Sequence, residues 1–159
     1  MLPDWVFDED DRRFMTEAIA EAESAAQRGE VPVGAVVTRD GEIIARAGNR
    51  RQEDGDPAAH AEILALRDAG RHLADWRLAG CTLYATLEPC PMCAAACRDA
   101  RLDLVIWGTE DERAGACGTV LDLMADPRLG PPLAHRGGLE AERCRELLLS
   151  FFAKQRQSS

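Results

Sequence analysis

Thr86-Leu87-Glu88-Pro89-Cys90-Pro91-Met92-Cys93 follows a short apolar run and precedes an alanine-rich one. It reads as the junction between a strand over Cys81 to Thr86 and a helix from Cys90 to about Ala100, with Pro89 suited to the helix start. Cys90 and Cys93, three apart in the first helical turn, face the same point. The positive end of that helix favours thiolates. Upstream, Asp56-Pro57-Ala58-Ala59-His60-Ala61-Glu62 reads as an N-cap, a proline at the first helical position and a second helix carrying His60 and Glu62. The two stretches supply one imidazole, two thiols and one free carboxylate. His60, Cys90 and Cys93 form a three-ligand zinc set with an open fourth position, where zinc would lower the pKa of a water. Glu62, two residues past His60, does not share the ligand's direction, so it is free to take that water's proton.

Each motif has a plainer reading on its own. A lone C-x-x-C reads equally well as structural zinc or as a redox pair, and a lone histidine before an apolar helix reads as structural. A structural zinc site would close with a fourth Cys or His. The other histidines, His72 and His135, have no recognisable ligand pairing. Both motifs occur complete and in order, which favours catalytic zinc.

At 159 residues the chain reads as one domain, 1–159, long enough for a proper core. With 46% apolar and 30% charged residues it reads as globular rather than disordered. No apolar run approaches a membrane span. The stretch Met1-Leu2-Pro3-Asp4-Trp5 lacks a secretory leader's basic start and apolar core, which predicts a cytoplasmic protein. Of the six cysteines, Cys81, Cys97, Cys117 and Cys144 fall in segments that read as partly or wholly buried free thiols. The net charge of -9 counts against indiscriminate nucleic-acid binding but leaves room for a local basic patch.

Outward from the motifs, residues Asp8 to Arg28 read as an amphipathic helix ending at Gly29. Val31 to Val37 reads as a buried strand, Arg39-Asp40-Gly41 as a hairpin turn and Glu42 to Ala47 as the returning strand. Gly48 to Gly55 reads as a polar loop. In the helix from Ala59 to Gly70, Ile63, Leu64 and Leu66 are expected to face the core. Leu104 to Trp107 reads as a strand ending at Gly108, Thr119 to Ala125 as a short helix, and Asp126 to Gly138 as irregular. Leu139 to about Gln155 reads as a terminal helix with an apolar stripe through Cys144, Leu147, Leu148, Phe151 and Phe152. Strands followed by helices imply a sheet with helices on both faces.

The order H-x-E…P-C-x-x-C is a known signature of zinc deaminases acting on nucleobases. With Glu30-Val31-Pro32-Val33-Gly34, Gly48-Asn49-Arg50, Thr86-Leu87-Glu88-Pro89-Cys90, Asp111 with Ala114-Gly115-Ala116, and Phe151-Phe152, the chain resembles the cytidine deaminase-like superfamily. Within it the resemblance is to the bacterial tRNA-specific adenosine deaminases. It covers about Glu30 to Asp122 and about Gly138 to Phe152. The resemblance implies a three-layer α/β/α fold with a five-stranded mixed sheet, a homodimer, one zinc ion per subunit and no membrane association. It implies hydrolysis of adenosine to inosine at the wobble position of a tRNA anticodon stem-loop, with ammonia released. It assigns zinc to His60, Cys90 and Cys93, and proton shuttling to Glu62. It places Asn49 against the base, Val31, Leu87 and Ala61 on the pocket, and Asp111 against the strand. Read alone, Asn49 is a turn residue and Asp111 a solvated surface charge.

The chain departs from the family pattern at Leu129-Gly130-Pro131-Pro132, where members often carry Leu-Asn-His-Arg, and at Asp54, where a basic residue is common. The remaining candidates for nucleic-acid contact are Arg50, Arg51, Arg113, Phe151, Lys154 and Arg156. Two other readings stay open. One is a deaminase of a free purine such as guanine, which the acidic charge favours. The other is a non-catalytic zinc-stabilised partner subunit, against which Glu62 argues.

Overall fold

The computed structural model describes residues 6–158; the stretch Met1 to Trp5 read above lies outside them. Its centre is a sheet of five strands: β1 (Gly34–Arg39), β2 (Glu42–Gly48), β3 (Cys81–Leu87), β4 (Leu104–Thr109) and β5 (Ala134–Gly137), in the spatial order β2-β1-β3-β4-β5. The β1 strand runs antiparallel to both β2 and β3, while β3, β4 and β5 are mutually parallel. The sheet is therefore mixed, as the resemblance implied. Helices α1 (Glu9–Gln27) and α5 (Ala141–Ser158) lie on one face, and α3 (Ala61–Leu73) and α4 (Pro91–Asp99) on the other. A single turn of helix, α2 (Arg51–Asp54), interrupts the loop after β2.

Strand alternation sorts the core into two layers. Val36, Tyr84 and Ile106 point to α1 and α5, where they meet Phe14, Ile19 and Cys144. Val37, Leu83, Val105 and Trp107 point to α3 and α4, where they meet Ala65, Leu66, Ala94 and Cys97. Gly34 lets α1 pack directly on the sheet, since an added Cβ would meet the backbone at Ala18 and Ala22. Among the described residues no helix is long and apolar enough to cross a membrane.

Several boundaries differ from the sequence reading, each for a physical reason. The first strand begins at Gly34 rather than Val31, because Pro32 has no N–H to give a ladder. The loop from Gly48 to Gly55 contains α2, whose first amides find a distant carboxylate: Gln52 N and Glu53 N donate to the fully buried Glu30 at 3.0 and 2.7 Å. Asp56 does not cap the His60 helix. It accepts from Ala58 N at 2.9 Å, so the Asp-Pro pair makes a turn and the helix starts later, at Ala61. Its core face is Ala61, Ala65, Leu66 and Ala69, with Ile63 and Leu64 only half-buried. In α4 the proline at the first helical position is Pro91, with Cys90 as the N-cap.

Residues Thr119 to Ala125 form no helix; Cys117 bridges to Asp122, and the neighbouring amides are taken by Glu88. The segment read as irregular contains a 3-10 turn, Pro127–Leu129, and strand β5. The terminal helix begins at Ala141 and leaves Leu139 buried ahead of it. Cys81, Cys97, Cys117 and Cys144 are all buried free thiols, as expected.

The Leu129-Gly130-Pro131-Pro132 departure has a partner in the fold. Arg98, only 8% exposed, donates to four main-chain carbonyls: Leu123 and Asp126 at 2.7 and 2.9 Å, Gly130 and Pro131 at 2.7 Å each. One guanidinium on the thiol-bearing helix thus fastens the whole segment before β5. Removing it takes the donor from four carbonyls at once, so Arg98→Met is expected to cost on the order of 3 kcal/mol. Thermal unfolding should show this as a fall of about 6–12 °C; a midpoint within about a degree of wild type would contradict the clamp.

Candidate active site and metal centre

The two sequence motifs meet at the N-terminal ends of α3 and α4. His60 is the N-cap of α3, and its carbonyl accepts from Leu64 N at 3.1 Å. Cys90 is the N-cap of α4, its carbonyl accepts from Ala94 N at 2.8 Å, and Cys93 lies in the same first turn. Helix α3 comes after β2 and α4 after β3, the two strands that flank β1, and both pack on the same face of the sheet, so their first turns open beside each other. Three potential ligand atoms converge there: His60 Nδ1 lies 3.6 Å from Cys90 Sγ and 3.5 Å from Cys93 Sγ, and all three are within 4.8 Å of one another. A tetrahedral zinc ion with ordinary Zn–S and Zn–N bonds holds sulfur and nitrogen about 3.6 Å apart. The donor set therefore fits zinc in both chemistry and spacing.

Glu62, in the first turn of α3, is 3% exposed. Burial pushes its carboxyl up to about 7, against the opposing pull of its own backbone amide and His60. The Cys90 thiol is held down to about 4, first by the hydrogen bond from Cys93 and then by His60. Cys93 moves the other way, since its thiol donates to Cys90 and is itself buried. His60 is raised by its bond to Cys90, while the nearby Arg51 opposes that rise.

Arg51 also lines an open cavity of about 420 Å³, with Val31, Asn49, Pro57, Phe151 and Phe152. Phe151 meets Phe152 edge-on, ring centroids 5.5 Å apart. Four sequence candidates, Val31, Asn49, Arg51 and Phe151, thus line one hollow, whose wall includes none of His60, Glu62, Cys90 and Cys93. The Asn49 amide is engaged at both ends, donating to the Val31 carbonyl at 3.3 Å and accepting from Arg51 N at 3.1 Å. That arrangement is the turn geometry, placed on the cavity wall.

Other candidates sit elsewhere. The Ala61 side chain is buried in the core beneath the site, and Leu87 is half-buried against the same cluster. Asp111 accepts from Arg113 N and Ala114 N at 3.0 and 3.2 Å and so caps its own loop. Arg50 is held by Glu53 at 2.6 Å and Asp54 at 3.1 Å, so the acid at 54 occupies a neighbouring cation. Arg113, Lys154 and Arg156 are exposed. Local pattern missed the buried carboxylates Glu30 and Glu88, whose partners lie more than twenty residues away; a charge inside an apolar motif was their signal.

Residues 8–109 match the cytidine and deoxycytidylate deaminase zinc-binding region. The chain belongs to this zinc-binding deaminase family. Against the tRNA-specific adenosine deaminase of Bacillus subtilis it is 44% identical, over 92% of the chain and 91% of the relative. A solved tRNA:A34 deaminase, studied for A-to-I editing at the wobble position of transfer RNA, superposes with a TM-score of 0.83. That match covers 86% of this chain and 99% of that one at 43% identity. The guanine deaminase of Bacillus subtilis gives a TM-score of 0.60 over 65% of this chain and 66% of its own, at 37% identity. Membership in the family makes this chain a hydrolytic zinc deaminase with the cytidine deaminase-like fold.

Proposed function

We propose that the chain deaminates adenosine to inosine at the wobble position of a tRNA anticodon stem-loop. It acts as one unit over residues 1–159 in the cytoplasm. The observation that carries the chemistry is the meeting of His60, Cys90 and Cys93 at zinc-ligand spacing, with the buried Glu62 carboxyl two residues from the first ligand. When bound there, zinc supplies positive charge and a water of lowered pKa. Glu62 takes a proton from the attacking water, delivers it to ring N1 of the base, and helps the amino group leave as ammonia. The burial of Glu62 keeps bulk water from competing for that proton.

The choice of substrate rests on the relatives matched nearly end to end, which are named for tRNA adenosine deamination. The open cavity lined in part by Phe151 and Phe152 agrees with it. A flipped base entering from a single-stranded loop needs such an opening, with rings on which its neighbours stack. Asn49, Val31, Arg51 and Phe151 are the contacts proposed there; Ala61 and Leu87 lie beneath, in and against the core, Asp111, Arg113, Lys154 and Arg156 stand further out, and Arg50 must first leave its acids. The guanine deaminase likeness covers less of both chains and supports the fold and zinc chemistry rather than a free-purine substrate.

A homodimer is part of this reading. The exposed large apolar residues Val120, Leu121 and Leu129, with Met92 on α4, lie on the segment Arg98 fastens and on the helix that carries Arg98. They offer a second copy an apolar face. The experiment for the substrate is sequencing of a full-length tRNA treated with zinc-loaded protein. Conversion confined to the wobble adenosine is expected, and its absence under conditions where a free purine is deaminated would overturn the reading.

A further inference from the structure

Glu88 stands two residues before Cys90, is 1% exposed, and has no basic partner among the described residues. Its carboxylate is satisfied by four donors, all from residues 111–119. Oε1 accepts from Asp111 N at 3.1 Å and from the Thr119 hydroxyl at 2.5 Å. Oε2 accepts from Cys117 N at 3.0 Å and Thr119 N at 3.2 Å. A further bond, Ala116 N to the Pro89 carbonyl at 2.9 Å, ties the same segment to the residue between Glu88 and the candidate ligand. Gly115 lies so close that an added Cβ would meet the carboxylate itself. A segment without regular structure is therefore wrapped around one buried side chain, and that side chain is covalently continuous with the metal centre.

We propose that Glu88 is a positioning residue that holds the 111–119 segment, with its proposed strand contacts Asp111 and Arg113, against the chain entering Cys90. The inference rests on the stem-loop reading above for its substrate. Main-chain amides aimed at a buried carboxylate give charge-assisted bonds that neither water nor a neutral side chain reproduces. Glutamine cannot replace it: both oxygens face two donors each, and the amide NH2 of Gln would turn a donor toward two others. The segment carries Asp111 and Arg113, so loosening it weakens strand contact, while Glu62 and the ligands are untouched.

The test compares wild type, Glu88→Gln and Thr119→Val, all zinc-loaded. The readouts are zinc content, the KM and kcat for an anticodon stem-loop, and amide hydrogen exchange. For Glu88→Gln the expected result is one zinc per chain, a KM raised about tenfold with kcat nearly unchanged, and lost protection at Asp111, Cys117 and Thr119. Thr119→Val removes one exposed donor and keeps the fold; a smaller rise in KM is expected, with partial loss of protection at the same amides. It decides the matter if Glu88→Gln does not fold. Unchanged KM and exchange in Thr119→Val, or a fall in kcat with KM constant in Glu88→Gln, would overturn the proposal. A wild-type protein inert on the stem-loop would instead fail the substrate reading, and exchange at the three amides would still judge the positioning.

Discussion

Glu62→Ala is expected to keep zinc and fold yet lose about two to four orders of magnitude in kcat, the usual contribution of a positioned acid/base. The residue is not a ligand: the converging atoms are His60 Nδ1 and the two thiols, and Glu62 stands beside them in the first turn of α3. It is buried, so no solvent carboxylate substitutes for it. The reaction moves a proton from water to the ring and the leaving amine, and among the proposed site residues only Glu62 is placed to carry it. Single-turnover inosine formation, with metal counted by a chromogenic chelator after denaturation, reads both halves. Wild-type turnover in this variant would sink the proton-shuttle assignment.

Cys93→Ser should do something different: it should empty the centre and weaken the protein. Serine keeps its proton at neutral pH and binds zinc poorly. Losing a ligand that holds zinc at a thousandfold excess over its Kd removes about 4 kcal/mol of linked stability, on the order of 10 °C in the unfolding midpoint. Cys90→Ser and His60→Ala should behave alike, because the three atoms form one set. A strong chelator added to wild type should reproduce the same midpoint. Full zinc occupancy by elemental analysis in any of these variants would contradict the ligand assignment.

The parts of this molecule that were legible in sequence are those specified locally. The α1 helix shows its apolar face at helical spacing and ends where Gly29 adopts φ 83°. The hairpin between β1 and β2 turns at Asp40 and Gly41, both at positive φ, as the Asp-Gly pair indicates. The ligand set was readable because a metal needs fixed residue types at fixed offsets. What local pattern could not show depends on partners far along the chain. The β5 strand, Ala134–Gly137, has little apolar content and exists because β4 offers it a parallel edge, Leu104 opposite Ala134. The run from Thr119 to Ala125 looks helical, yet Glu88, 31 residues before Thr119, claims its first amide. Arg98 is a buried clamp whose four acceptors lie 25 to 33 residues further along the chain. The functional chemistry was thus more visible than its scaffolding.

The most direct measurement is a side-by-side deamination assay on purified, zinc-loaded protein. It follows inosine in an anticodon stem-loop bearing a wobble adenosine, and ammonia from free adenosine, adenine and guanine. The expected result is inosine in the stem-loop and no ammonia from the small molecules. Ammonia from guanine or adenosine with an unmodified stem-loop would contradict it.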